Sequence, residues 1–252
     1  MDKKYIFSLS GGKDSTIALW LAVENNYPID CVLCAKLPFE EPEMYDHLKK
    51  LDKYVLNKLG FGITFVSNPK SIEPFMSERT KRGKHKGTIR GFPLKFVGFC
   101  WISRDWKIKI LEKYVKKQGE VIQYIGFAID EKSHKRQKKI LSYIEDKETF
   151  IKTNKEIYPL VDFKYTEEMC RSKLKEVGLD SPVHYMSNRS GCWFCMKASP
   201  EARIKAINRF PERIEKIKQY IKLSGRELYP DLTLEQIQKS ANIKDLSSIK
   251  KE

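Results

Sequence analysis

Apolar residues recur along this chain in two rhythms. Short, nearly continuous runs such as "YIFSLS", "IDCVLCAKL", "GITFVSN" and "EVIQYIGFAI" have the length and β-branched or aromatic content of strands buried on both faces. Between them lie longer stretches with apolar positions three and four apart: "DSTIALWLAVENN", "EPEMYDHLKKLDKYVLNKLG" closed by Gly60, and "WKIKILEKYVKKQG". Such stretches predict amphipathic helices. Regular alternation of the two predicts an α/β protein with a parallel, doubly wound sheet and helices on both faces. From about Pro200 the pattern is helical only, in "SPEARIKAINRF" and "PERIEKIKQYIKLSG", where Ile214, Ile217 and Ile221 share one face. Residues 1–200 are therefore expected to form the α/β domain and 201–252 a small helical C-terminal extension. The tail beyond about Ser240 is polar, and neither an internal repeat nor a low-complexity linker is visible.

Composition narrows the class. A chain of 252 residues with 41% hydrophobic and 12% aromatic content can bury a full core. No apolar run approaches the ~20 residues of a membrane helix, and "MDKKYIFSLS" opens on a strand without the apolar stretch of a signal peptide. The expectation is a cytoplasmic protein with no membrane partner. Its six cysteines would then serve metal binding, catalysis or plain burial before any disulfide framework.

The 48 Lys and Arg exceed the 33 Asp and Glu, for a net charge of +15. That excess favours a polyanionic partner, DNA or tRNA, although a lysine-rich chain also spreads charge over solvated helices. The most basic loop, "SERTKRGKHKGTIRG", carries Arg79, Lys81, Arg82, Lys84, Lys86 and Arg90 among Gly83, Gly87 and Gly91. It reads either as a solvated loop or as a clamp that neutralises phosphates without reading bases. Lys132, Lys135, Arg136, Lys138 and Lys139 in "DEKSHKRQKK" would extend the same surface.

"FSLSGGKDSTIAL" places two glycines, a lysine, an aspartate and hydroxyls where the first strand becomes the first helix. It is not a Walker loop, because Phe7 occupies the first glycine position and Asp14 follows Gly12-Lys13, and it lacks the G-x-G-x-x-G pattern. What remains still suits phosphate. Glycines allow backbone N–H groups to approach an oxyanion closely, the helix start adds its dipole, and Lys13 and Ser15 add a charge and a hydroxyl.

This segment, S-G-G-x-D-S, resembles the pyrophosphate (PP) loop of the adenine nucleotide α-hydrolase superfamily, whose members cleave ATP between its α and β phosphates. The resemblance implies that Ser10, Gly11, Gly12, Lys13, Asp14 and Ser15 hold the nucleotide's phosphates, with Lys13, Asp14 and Ser15 acting in catalysis by positioning and charge neutralisation. Mg²⁺ would bridge the phosphates. Later segments resemble the phosphoadenosine phosphosulfate reductase branch. "GFPLKFVGFCWISRDWKIKIL" contains Gly91, Pro93, Cys100 and Lys107; "YIGFAIDEKSHKR" contains Gly126, Glu131, Ser133 and Arg136, implied nucleotide contacts. "IYPLVDFKYTEEMCRSKLKEVGL" and "NRSGCWFC" complete the likeness, which runs from about residue 4 to residue 200. The chain differs from true reductases of that branch. No cysteine follows Cys195, the pair before the helix is Phe99-Cys100 and not Cys-Cys, and the second strand ends in "CAKLPFEEPEMY". One cysteine followed by Cys-x-x-Cys is instead similar to the sulfur-transfer ATPases of the branch, including those of DNA phosphorothioation.

Cys192 and Cys195 are spaced for one metal centre, with Gly191 permitting the turn, and Cys100 is the third candidate ligand. Three thiolates on a [4Fe–4S] cluster leave one iron open to sulfur. Zinc with His184 as fourth ligand and a redox dithiol are the alternatives. Cys170, in a helix, reads as buried or as a fourth ligand. Cys31 and Cys34 imitate a metal motif but face opposite sides of a strand and read as core. The expected activity is ATP pyrophosphatase chemistry coupled to sulfur transfer onto a nucleic acid or small acceptor. A sulfur donor such as a cysteine desulfurase and a homodimer are compatible partners. An atypical sulfonucleotide reductase and a nucleic-acid-binding module with structural ATP are the alternatives.

Overall fold

The computed structural model describes residues 3–82, 86–93, 100–186, 191–225, 227–229 and 232–241. They divide into two compact units, Met1–Lys36 with Pro42–Ser67 and Lys107–His184, and Leu37–Glu41 with Asn68–Trp106 and Tyr185–Glu252.

The first unit is built on a five-stranded parallel sheet in the order β3-β2-β1-β4-β5, formed by β1 (Lys4–Leu9), β2 (Cys31–Ala35), β3 (Thr64–Val66), β4 (Val121–Tyr124) and β5 (Glu156–Ile157). Every pairing is parallel, so each connection must cross over, and the amphipathic stretches supply the crossovers. The alternation read from the sequence is thus the observed architecture. Side chains alternate across the sheet as the pleat demands. Phe7, Leu9, Val32 and Cys34 face a core shared with α1 (Lys13–Glu24), α2 (Pro42–Leu59) and α8 (Glu167–Glu176); Ile6, Leu33 and Cys31 face the opposite layer with Leu111, Tyr114 and Val115 of α4 (Lys109–Lys116). The other helices of this unit are α5 (His134–Glu145), α6 (Lys147–Asn154) and α7 (Pro159–Asp162), and the one-turn α9 (Val183–Met186) begins at its end. Cys31 and Cys34 lie on opposite faces, as their spacing requires. Cys31 Sγ is 3.8 Å from the Tyr114 hydroxyl, and Cys34 is buried.

Two elements depart from the periodicity. β5 is two residues long, too short to register as an apolar run, and is recognisable only from its pairing of Gln123 with Glu156 and Tyr124 with Ile157. The helix read from Trp106 onward begins earlier, and Ser103–Ile108 is π-helical before α4 continues. A π turn brings residues five apart onto one face, and here Trp101 and Trp106 meet edge to face at 5.8 Å with both rings buried. Burying two tryptophans with that spacing favours the wider turn.

The second unit packs α3 (Ile72–Ser77), α10 (Pro200–Asn208), α11 (Pro211–Ser224) and α12 (Leu234–Ala241) around an aromatic core containing Phe92, Trp101, Trp106, Trp193, Phe194, Tyr220 and Tyr229. The helices beyond Pro200 thus share a core with residues 37–41 and 68–106. Among the described residues, no helix is long and apolar enough to cross a membrane.

Candidate functional site

Strand order reverses between β1 and β4, the position where the carboxyl ends of a doubly wound sheet open into a ligand crevice. Ser10, Gly11 and Gly12 leave β1 there, and α1 starts at Lys13. Gly11 has φ +72°, and a Cβ on it would fall 2.7 Å from Met44 Sδ and 3.1 Å from Leu48 Cδ2. Both backbone conformation and packing therefore require glycine. Gly12 begins α1 without a side-chain cap, which leaves first-turn N–H groups available to an anion. The serines brace the turn from within. Ser15 Oγ donates to the Gly12 carbonyl at 3.0 Å and accepts from the Ser10 N–H at 3.2 Å, with the two hydroxyl oxygens 2.9 Å apart.

Gly126, just after β4, lies against this first turn. A Cβ there would sit 2.8 Å from Ser15 Cα and 3.0 Å from both Asp14 O and Ser15 N, all backbone atoms that cannot turn aside. The charges are paired internally. Lys13 Nζ donates to Asp14 at 2.7 and 2.9 Å and to Glu167 at 2.9 Å. Burial lowers the Lys13 pKa, but the bonds to Asp14 and Glu167 outweigh it and leave the ammonium raised; burial also raises the Asp14 carboxyl, against the pull of Lys13. Both shifts favour the protonated form, which is the charged state of Lys13 but the neutral state of Asp14, and the ammonium is the fixed one because a second carboxylate, Glu167, also faces it. At the start of α5, Glu131 accepts from the Ser133 N–H at 3.1 Å and from Arg136 at 2.8 Å. Burial opposes its ionisation, yet these bonds hold the Glu131 carboxyl below its usual range. Glu131, Ser133 and Arg136 are thus one local cluster.

Glu167 is a member of the candidate site that the sequence reading missed. It follows the helix cap Thr166, and its N–H donates to Asp130 at 2.9 Å. Its only sequence signal was an acidic first turn. Cys170, one helical turn onward, is buried in the first unit's core beside Asp14, which with burial pushes its thiol far up. His184, the residue that would complete a zinc set, is committed elsewhere, with Nε2 3.0 Å from the Gly11 carbonyl.

In the second unit the 191–195 turn is held by the 37–41 stretch. Trp193 N–H donates to the Phe39 carbonyl at 2.9 Å, Glu40 pairs with Cys192 as an antiparallel bridge, and Cys192 Sγ lies 3.7 Å from the Pro38 carbonyl. The Cys195 N–H closes the turn onto Cys192 O at 2.9 Å, and Gly191 at φ +149° permits the entry. The Cys192 thiol is closely surrounded by protein atoms, although part of the residue remains exposed. Burial first, and then the charges of Glu40, Cys195 and Cys100, push that thiol well above its usual range. Cys100 and Cys195 are thus each near enough to Cys192 to act on its charge, and all three residues are partly exposed. They suit an iron–sulfur or zinc centre in donor kind, and a bound cation would offset the cost of ionising the enclosed Cys192 thiol. Among the described residues, however, no three His, Cys, Asp or Glu side chains close on one point at metal-binding distance. Ser190 lies outside the described residues.

The described arms of the basic loop pair with each other in antiparallel fashion. Arg79 bridges Ile89, Thr80 N–H donates to Thr88 O at 2.7 Å, and Arg90 N–H to Glu78 O at 2.8 Å. Arg79, Lys81, Arg82 and Lys86 are exposed, and Lys84 lies outside the described residues. Arg90 is turned onto Phe75, its guanidinium 3.8 Å from the ring centre, and burial lowers its pKa.

A parallel sheet with a glycine–lysine–aspartate–serine loop at its switch point defines an α/β protein of the PP-loop class. Residues 4–197 match the phosphoadenosine phosphosulfate reductase domain, and the chain belongs to that family. It is also 27% identical over 221 residues to the uncharacterized protein MJ0973 of Methanocaldococcus jannaschii, covering 86% of this chain and 47% of that one. The chain thus spans about half the length of this curated relative. Among solved structures, the U34-tRNA thiolase NcsA from Methanococcus maripaludis, with its [4Fe-4S] cluster, aligns over 88% of this chain and 73% of its own at 18% identity and TM-score 0.45. A likeness that distant says nothing of this chain's chemistry.

Proposed function

We propose that this protein is an ATP pyrophosphatase that activates an acceptor for sulfur transfer, the acceptor being a nucleic acid. The observation that carries the reading is the Ser10–Ser15 loop at the switch point, with Gly126 backed onto its first helical turn so closely that only glycine fits. Phosphates in this cradle would take the N–H groups of the α1 start and the Lys13 ammonium, displacing Asp14 and Glu167 from it. Mg²⁺ would accompany the phosphates. An acceptor oxygen attacks the α-phosphorus, the bond to the β-phosphate oxygen breaks, and pyrophosphate leaves. Sulfide then attacks the activated carbon, the bond to the AMP oxygen breaks and AMP leaves; a persulfide donor attacks through its outer sulfur in the same way, and a second thiol cleaves the resulting disulfide. The protein's contribution to the first step is positioning and charge neutralisation.

Cys100, Cys192 and Cys195 would hold a [4Fe–4S] cluster, which when bound supplies an open iron for a sulfur atom. Support for that comes from the three neighbouring thiols and their spacing. The exposed Arg79, Lys81, Arg82 and Lys86, with the net charge of +15, support a nucleic acid acceptor. Product analysis tests the activity. AMP and pyrophosphate are expected from ATP, reduced at least about a hundredfold by Lys13→Ala. ADP with phosphate, or sulfite from a sulfonucleotide, would overturn it.

A further inference from the structure

α2 presents Met44, His47, Leu48, Leu51 and Val55 to the core on one face, and the histidine interrupts an otherwise apolar stripe. A buried polar group needs a partner or a task. His47 is 3% exposed and His184 7%. Their rings meet edge to face with centroids 4.7 Å apart. His184 Nε2 lies 3.0 Å from the Gly11 carbonyl, and because a carbonyl only accepts, Nε2 carries a hydrogen. His47 Nε2 is 3.5 Å from the Thr16 hydroxyl on α1. Neither Nδ1 has a hydrogen-bond partner among the described residues. Two imidazoles thus converge beneath the one loop residue held in the left-handed region by a turn that could bind phosphate. Met44 and Leu48, flanking His47 on the same face, close off the space at Gly11.

We infer that His47 and His184 are positioning residues for the nucleotide loop: His184, packed edge to face on His47, fixes the Gly11 carbonyl, and with it the orientation of the N–H groups that follow. The inference rests on the PP-loop reading above and assigns the residues that hold that loop in shape. Both imidazoles are held toward the neutral form by their surroundings. His47 faces His184, Lys50 and the Gly11 backbone, and burial first, then His184 and Lys50, lower its pKa to about 3. His184 faces Gly11, Asp180, Asp14 and Lys13; burial lowers its pKa although Gly11 and the two aspartates oppose it. A carbonyl cannot accept from a nitrogen that has lost its hydrogen, and two imidazolium ions at this separation would repel. Of the two neutral tautomers of His184, only the one with its hydrogen on Nε2 serves.

The test is binding of α,β-methylene-ATP, which cannot release pyrophosphate, to the full chain by calorimetry. His184→Phe fills the space without a donor and is expected to weaken binding about tenfold, the effect of removing one buried hydrogen bond. His184→Gln places an amide N–H near the same point and should return binding to within about threefold of the parent. Because burial lowers both imidazole pKa values, the ratio of dissociation constants between parent and His184→Gln should stay constant from about pH 8 to about pH 6.5. Thermal midpoints of each variant separate loss of fold from loss of position. If the parent binds the analogue and folded His184→Phe binds equally well, the positioning role is overturned while the PP-loop reading stands. A ratio that grows as pH falls through about 6.5 would mean a charged imidazole contacts phosphate, which also overturns it. A parent that binds no analogue overturns the PP-loop reading itself, and this inference with it.

Discussion

The loop between β1 and α1 is shaped by backbone, whereas the 191–195 turn is shaped by side chains and strands brought from elsewhere. Ser10 to Ser15 close their turn with bonds among themselves, while Gly126, Glu167 and the two histidines reach in from other parts of the chain. The cysteine turn depends on Phe39 and Pro38 for its backbone partners and on Cys100 for its third thiol. Beyond it, Glu41 accepts from Arg213 at 3.0 and 2.7 Å and from Arg209 at 2.8 Å, and the Arg213 guanidinium lies 5.1 Å from the Trp193 ring centre. A preorganised anion cradle needs little beyond a strand end, glycine and a helix start. A thiol centre needs donors from distant segments, and their approach has to be enforced by packing.

The sharpest way to break that comparison is a paired substitution. Gly126→Ala pushes a Cβ into the backbone of Ser15 and should abolish nucleotide binding while leaving iron content unchanged. Cys192→Ser should do the reverse. Anaerobic preparations of the parent are expected to be brown with about four irons per chain. Cys100→Ser and Cys195→Ser should bleach them as Cys192→Ser does, and Cys31→Ser should not. Colourless protein with stoichiometric zinc would remove the cluster from the proposal.

A smaller effect is expected at the support of the thiol turn. Glu41 and Arg213 are both nearly excluded from solvent, at 8% and 7% side-chain exposure. Glu41→Gln leaves two guanidinium groups facing a neutral amide, and removing one partner of a buried pair costs about 3–5 kcal/mol. Denaturant unfolding of parent and variant measures this. A change under about 1 kcal/mol would show that solvent reaches the triad and that the turn is held by its backbone bonds alone.

The smallest expected effect concerns the basic loop. Replacing Lys81, Arg82 and Lys86 by alanine should weaken duplex or tRNA binding without regard to sequence. On duplex DNA the salt dependence should flatten by about 0.9 for each phosphate that is no longer neutralised. ATP cleavage in the absence of nucleic acid should persist. Binding that does not depend on salt would leave the +15 charge as solvated decoration.

The sequence by itself determined the features that depend on neighbours in the chain. Strand and helix periods set the alternating pattern, because each element's burial is written in its own spacing, and Ser10 to Ser15 were legible because their partners are each other. Cys31 and Cys34 could be separated from the metal candidates for the same reason, since the pleat alone sends them to opposite faces. Tertiary structure decided whatever depends on approach between distant segments. β5 exists only through β4, the π turn only because two tryptophans share one core, and Glu167 became a partner of Lys13 only when α8 packed on α1. His47 went unremarked in the sequence, as one polar residue of an amphipathic helix. That it meets His184 beneath Gly11 could not be read from spacing, because residues far apart in sequence meet only where burial of the whole chain, not local geometry, brings them together.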